Sequence, residues 1–147
     1  MAKAIIIYET RKGSTRLLAE AVKDGLEQSG VKTDLERISE VDINRLADYA
    51  AIILGSPTYH KDMIETMKTF LFKLEQANLK KKIGAAFGAY GWSGEAVGML
   101  SETLQHIFFM DVVEPGVKLA GQANEFGQGQ HRELGRKIAE KIKAQGQ

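Results

Sequence analysis

The sequence contains no cysteine among its 147 residues. This absence excludes disulfide bonds, iron–sulfur clusters and metal sites built on thiolates. Histidine is scarce as well: His60, His106 and His131 are the three in the sequence, and none stands at the short spacing of a zinc-binding motif. We therefore expect no metal site in this chain.

The sequence also lacks an excess of one charge and any long apolar run. Twenty Lys and Arg residues stand against nineteen Asp and Glu residues, which gives a net charge of +1. The densest basic run, "LKKK" at 79–82, is typical of a solvated turn, so we expect no nucleic-acid binding. The first apolar run is too short for a signal peptide, and no segment has the length needed to span a bilayer. The expected location is cytoplasmic, without membrane insertion.

Apolar runs alternate with helical patterns along the chain. The runs predict five strands, at 3–9, 31–38, 50–56, 81–90 and 112–120. Segments with helical spacing of apolar residues separate them, including a short helix at 42–49. This alternation predicts a single α/β domain over residues 1–147, in which a three-layer, doubly wound parallel sheet carries helices on both faces. The strand order could be 3-2-1-4-5 or 2-1-3-4-5, and the alternating polarity of 31–38 favours the second, where that strand lies at an edge.

Ligands of such sheets bind beyond the carboxyl ends of the strands. The turn after the first strand lies at such an end and is rich in hydroxyls. This turn consists of Thr10, Arg11, Lys12, Gly13, Ser14 and Thr15. Free N–H groups at the start of the following helix, together with these hydroxyls, indicate a phosphate site. In the alternative interpretation, Ser14 only caps the helix and the two cations face solvent. The P-loop and dinucleotide-binding fingerprints are both absent from this turn.

Two later turns are rich in aromatic residues and glycine. The turn after the third strand contains Ser56, Pro57, Thr58, Tyr59 and His60, and the turn after the fourth contains Ala89, Tyr90, Gly91, Trp92, Ser93 and Gly94. Large aromatics between flexible glycines are typical of contact with a flat ligand, which we expect between Tyr59 and Trp92. A phosphate at one end and a planar ring at the other describe flavin mononucleotide (FMN). The segment 121–130 could lie against this ligand or form a plain loop, and we favour the loop.

With these motifs the chain resembles the flavodoxin family, in particular the flavodoxin-like domain of flavodiiron proteins. The resemblance rests on "YETRKGST", "ILGSPTYHKDM", "KIGAAFGAYGWSGEA" and "VEPGVKL", which occur in the family's order. It implies that Thr10 to Thr15 hold the FMN phosphate and that Ser56 to His60 and Ala89 to Gly94 flank the ring. It further implies a low-potential electron carrier between protein redox partners, with no catalytic residue of its own and with a homodimer left open.

The chain departs from the family pattern in three respects. The di-iron domain of flavodiiron proteins is absent from these residues, so we expect no iron chemistry from them. Many members carry a glycine after the S-P-T motif, whereas this loop continues with Tyr59, His60, Lys61 and Asp62, where a positive φ is costly. Typical flavodoxins are strongly acidic, so the nearly neutral charge of this chain predicts a different partner surface.

Two other functions are compatible with the predicted fold. The first is an NAD(P)H-dependent quinone or FMN reductase, although the chain has no obvious insertion that would hold a second substrate. The second is a flavin-free receiver domain, which needs an acidic pair after the first strand and an aspartate after the third. Glu9 stands alone here and the third strand ends in Gly55-Ser56, so the sequence disfavours a receiver.

Overall fold

A computed structural model describes residues 2–91 and 93–146. The strands are β1 (Lys3–Tyr8), β2 (Lys32–Arg37), β3 (Ala51–Gly55), β4 (Thr58–Tyr59), β5 (Asp62–Met63), β6 (Ile83–Tyr90), β7 (Asp111–Val112) and β8 (Val117–Ala120). The helices are α1 (Ser14–Gln28), α2 (Glu65–Leu74), α3 (Glu95–His106) and α4 (Glu125–Gln145). Short 3₁₀ segments occupy Ile38–Glu40 and Ile43–Asp48, so the helix predicted at 42–49 is a 3₁₀ segment.

The main sheet is parallel and has the order β2-β1-β3-β6, with β7 and β8 on the far side of β6. β7 and β8 are two pieces of the predicted fifth strand, separated around Pro115 and Gly116. The predicted doubly wound fold is confirmed. The sequence did not reveal the small antiparallel hairpin of β4 and β5, which joins the sheet through the pairing of Thr58 with Tyr90.

Two hydrophobic cores lie on opposite faces of the sheet. Helices α1 and α4 cover one face with side chains such as Leu18 and Ile138, and α2 and α3 cover the other with side chains such as Phe70 and Leu100. Ile6 of β1 points into the first core and Ile7 into the second. Burial on both faces explains why the central strands are almost continuously apolar.

The segment 121–130 is mostly helical, so the prediction of a plain loop is wrong for residues 125–130. The Asn124 side chain accepts a hydrogen bond from the Gly127 N–H at 2.8 Å, and α4 begins at Glu125. The Gly/Gln-rich composition concealed this cap. Within the described ranges, no helix combines the length and the apolar character that a membrane span requires.

This topology determines where the turns meet. Since β1, β3 and β6 are parallel neighbours, their carboxyl ends lie at one edge of the sheet. The three turns identified in the sequence follow these ends, so the fold gathers them around one location.

Candidate functional site

A pocket of about 670 Å³ opens at the carboxyl edge of the sheet. Its volume lies within the range of ordinary small-molecule sites. Eleven predicted site residues line it: Thr10, Lys12, Gly13, Ser14, Thr15, Pro57, Thr58, Tyr59, Ala89, Tyr90 and Gly91. Residues from all three predicted turns therefore contribute to one cavity.

The first turn places the start of α1 at the pocket. Gly13 occupies the cap position with φ of +90°, a left-handed conformation that favours glycine. Its N–H donates to the hydroxyl of Thr10 at 2.9 Å, and its carbonyl accepts the first helical hydrogen bond, from Leu17, at 3.2 Å. The alternative role of Ser14 as the cap is wrong, because Ser14 is already the first helical residue.

The start of α1 suits an anion better than the other helix starts do. In the described part of the chain, α1 has neither a side-chain cap nor an acidic residue in its first turn. The first turns of α2, α3 and α4 contain Glu65, Glu95 and Glu125, respectively. The first N–H groups of α1 and its positive dipole end therefore remain available at the pocket. A phosphate fits this environment, with the hydroxyls of the same turn as additional donors.

The second turn is the β4–β5 hairpin, whose two turn residues are strained. His60 has φ of 51° and Lys61 has φ of 63°, so both adopt the left-handed conformation that Asn-Gly usually provides in two-residue hairpins. This conformation costs about 1–2 kcal/mol per residue without glycine. The hairpin therefore adopts positive φ without a glycine.

Hydrogen bonds of two buried hydroxyls connect this hairpin to its surroundings. Ser56 is fully buried, and its hydroxyl accepts from the Ile64 N–H at 3.0 Å and donates to the Pro57 carbonyl at 2.9 Å. The Thr58 hydroxyl accepts from the Ala96 N–H at 3.0 Å and so joins the second turn to the first turn of α3. Ser56 thus lies outside the lining of the pocket, whereas Thr58 belongs to its wall.

Two tyrosines form the aromatic part of the wall, and each has a cation beside it. The Arg11 guanidinium lies 4.7 Å from the centre of the Tyr59 ring, and Lys118 Nζ lies 5.8 Å from that of Tyr90. Among the described residues, Arg11, Ser56, His60, Ser93 and Gly94 do not reach the lining. The predicted contact of Trp92 lies outside the described residues and stays a prediction.

The pocket also contains residues that the sequence interpretation missed. Arg16, Leu17 and Glu20 of α1 line it, as do Gly121, Gln122 and Ala123. The three α1 residues follow Gly13 at helical spacing and could have been found from that pattern. Residues 121–123 follow β8 at the same sheet edge, so position in the topology was the available signal. They form a loop, as preferred from the sequence, and this loop lines the pocket.

Positive charge surrounds the pocket mouth. Arg11, Lys12, Lys61 and Lys118 are exposed, and none of them takes part in an ion pair within residues 2–91 and 93–146. The carboxylate of Glu20 lies in the lining but pairs with Arg16. The pKa of Glu95 is lowered by a hydrogen bond with Ser93 and by the charges of Lys61 and Lys118. The mouth is therefore electropositive although the whole chain is nearly neutral.

Comparisons with known proteins agree with this geometry. The family model described as flavodoxin matches residues 6–135. A nitric oxide reductase from Moorella thermoacetica is 37% identical over 145 residues, which cover 96% of this chain and 36% of that protein. A type A flavoprotein from Rhodobacter capsulatus is also 37% identical over 145 residues, with 94% and 33% covered. The chain thus spans about a third of the length of these curated relatives.

A solved structure matches over nearly its full length. A flavodoxin from the domain Archaea superposes with a TM-score of 0.92 at 34% identity, covering 96% of this chain and 99% of that one. The similarity of the fold and the similarity of the sequence therefore identify relatives of the same kind.

Proposed function

The chain belongs to the flavodoxin family, and from that premise we propose that residues 1–147 form a single FMN-binding domain that carries electrons at low potential between protein redox partners. FMN is the cofactor of this family. The observation that carries the proposal is the start of α1, which faces an aromatic-walled pocket. In the described part of the chain, this helix start has neither a side-chain cap nor an acidic residue in its first turn.

The arrangement of the pocket suggests that different turns bind the phosphate and the ring of FMN. Thr10 to Thr15 would hold the phosphate, with Gly13 allowing the close approach of the backbone. Tyr59, Tyr90 and Gly91 would contact the ring, and the neighbouring Ser56, His60 and 92–94 would complete its surroundings. FMN supplies the redox chemistry when bound, and the protein binds it, orients it, limits water access and sets its potential.

The proposed partners are proteins that present carboxylates. Arg11, Lys12, Lys61 and Lys118 surround the mouth, and electrostatic attraction of this kind raises association rates at low salt. The relatives named a nitric oxide reductase and a type A flavoprotein are about three times as long, so their activities are not assigned to this chain.

An anaerobic reduction of the FMN-loaded chain tests the carrier function. We expect one FMN per chain, reversible reduction and reoxidation by a one-electron protein acceptor such as cytochrome c. We expect little steady-state oxidation of NADH or NADPH in the presence of a quinone. Sustained turnover in that assay would contradict the carrier proposal and favour the reductase.

A further inference from the structure

Arg11 and Tyr59 form a contact between two different turns. The guanidinium carbon of Arg11 lies 4.7 Å from the ring centre of Tyr59, within the range of a cation–π interaction. Arg11 follows β1 and Tyr59 ends β4, so the contact joins the turn at α1 to the β4–β5 hairpin. Tyr59 lines the pocket, whereas Arg11 is outside the lining formed by the described residues. The Tyr59 ring is therefore the group through which Arg11 can act on the pocket.

The carboxylates of these turns are engaged elsewhere. Glu9 precedes the first turn but pairs with Arg37, and Asp62 follows the hairpin turn but pairs with Lys68. Arg11 takes part in no ion pair in the described ranges. Its side chain thus has the tyrosine ring as its partner, and the planar guanidinium suits a ring face better than an ammonium would.

The tyrosine needs such a support because its surroundings are irregular. Its neighbour His60 has a left-handed backbone, and the strand that carries Tyr59 is only two residues long. Tyr59 is half-buried, so packing alone does not enclose its ring. A cation on the ring restricts its orientation and also places a positive charge next to the pocket.

We propose that Arg11 is a positioning residue that acts through Tyr59: it holds the ring in the orientation that faces the flavin and lends its charge to the reduced cofactor. The inference rests on the proposed FMN site. For Arg11, this role takes the place of the phosphate contact and the partner surface considered above, because its side chain contacts the Tyr59 ring and does not line the pocket. Because reduction places additional electron density on the flavin, removal of this charge makes the midpoint potential more negative.

A double-mutant cycle tests the dependence on Tyr59. The variants are Arg11→Met, Tyr59→Leu and the pair, and the readouts are the FMN dissociation constant and the two-electron midpoint potential. Arg11→Met weakens FMN binding about threefold, which corresponds to an exposed cation–π contact, and lowers the potential. In the Tyr59→Leu background it has no further effect on FMN binding and a smaller effect on the potential, because the guanidinium keeps its charge but is no longer held at the ring. Arg11→Lys recovers the potential in part, because it keeps the charge but not the flat stacking surface.

Two further variants protect the test against loss of folding. Tyr59→Phe keeps an aromatic ring, so Arg11→Met retains its effect in that background even if Tyr59→Leu is unstable. Lys12→Met is the matched control, because Lys12 is the adjacent cation but lines the pocket itself. Its effect on FMN binding is the same with Tyr59 or Leu at position 59.

The unloaded protein provides an independent readout. In NMR spectra without FMN, Arg11→Met shifts the ring resonances of Tyr59 and Lys12→Met does not. Equal effects of Arg11→Met in the Tyr59 and Leu backgrounds, or wild-type values in the first, would overturn the inference while leaving FMN binding intact. A chain that binds no FMN contradicts the proposed function, and unshifted ring resonances in that chain overturn the positioning role as well.

Discussion

Lys12 is the one cation of the first turn that lines the pocket, as far as the described residues go, and the structure separates it from Arg11 on that ground. Its side chain is exposed and belongs to no ion pair in the described part of the chain. A phosphate at the start of α1 would therefore experience this charge directly. Exposed charge pairs of this kind contribute up to about 1 kcal/mol and are screened by salt.

We predict that Lys12→Ala weakens FMN binding about fivefold at low ionic strength and less at high ionic strength, because salt screens the lost interaction. Fluorescence titrations at two salt concentrations measure the effect. Lys137→Ala is the control, since it removes the same charge from an exposed position on α4 outside the described lining. A dissociation constant that is unchanged at low salt would exclude a role for Lys12 in binding the phosphate.

His131 is a second residue whose surroundings determine its chemistry, here its pKa. It is fully buried on α4, its Nδ1–H donates to the Gly127 carbonyl at 2.7 Å, and its Nε2 has no partner in the described part of the chain. Phe87 lies edge-on to its ring, with 5.7 Å between the ring centres. Burial lowers the pKa of His131 from the ordinary 6.5, and the hydrogen bond to Gly127 opposes this shift only in part.

We predict that acid destabilises the fold through His131. Because the folded state has the lower pKa, the unfolded chain binds more protons below about pH 7. The stabilising contribution is complete above the unfolded value of 6.5 and decreases as the pH falls through it, by at most about 1.4 kcal/mol per pH unit, until the folded pKa is passed. Urea unfolding between pH 5 and 8 measures this dependence.

The matched variants for this prediction replace two histidines in different environments. His131→Gln removes the titrating group from the core, so its free energy of unfolding varies less with pH than that of the unaltered chain. His106→Gln changes an exposed histidine and should leave the pH dependence unaltered. Equal pH dependence in all three proteins would show that His131 is not responsible.

Among the elements, α1 and α4 pack closely against each other, and glycines on both helices permit this contact. A Cβ atom on Gly25 would lie 2.0 Å from the Arg132 carbonyl oxygen, and one on Gly135 would lie 2.3 Å from the Val22 carbonyl oxygen. Both obstacles are backbone atoms, which cannot move aside without shifting a helix. The crossing also fixes the start of α1 relative to residues 121–123, which line the pocket from the other side.

We predict that Gly135→Ala lowers the free energy of unfolding by about 1–3 kcal/mol, because overpacking outweighs the gain in helix propensity. Gly129→Ala is the control on the same helix, where the added Cβ would lie 3.8 Å from the nearest described atom, on the flexible Arg132 side chain. That variant should instead gain up to about 1 kcal/mol. Thermal or urea unfolding compares them, and similar stabilities would contradict a tight crossing.

The second turn and α3 are joined by the hydrogen bond from the Ala96 N–H to the Thr58 hydroxyl. We predict that Thr58→Val, which keeps the shape of the side chain, lowers stability by about 1–2 kcal/mol because a buried helix N–H loses its acceptor. It should also weaken FMN binding, since Thr58 lines the pocket. Thr58→Ser keeps the hydroxyl and should retain most of both properties, and a Ser variant as impaired as the Val variant would show that the hydroxyl is not responsible.

For the molecule as a whole, the sequence predicted the order of the sheet because its signals were local and repeated. Continuous apolar runs at β1 and β3 indicated burial on both faces, and the alternating pattern of β2 indicated an edge. The β4–β5 hairpin escaped detection because its turn residues, His60 and Lys61, lack the Asn-Gly signature of such turns.

The site was predictable where residue type alone carries the chemistry. The glycine and hydroxyls of the first turn indicate an anion site by their composition and their place after a buried strand. Contacts across the fold were not predictable, since no local pattern states that Arg11 covers Tyr59 or that Gln122 reaches the same pocket. These contacts depend on which strand ends meet, and therefore on the assembled sheet.

The most direct test of the proposed cofactor site is a parallel titration of the purified chain with FMN and with riboflavin. The two ligands share the ring and differ in the phosphate, which we assign to the start of α1. Several charge-assisted hydrogen bonds should make FMN bind at least about a hundredfold more tightly than riboflavin. Equal affinities for FMN and riboflavin, or no binding of either, would contradict the assignment of this pocket.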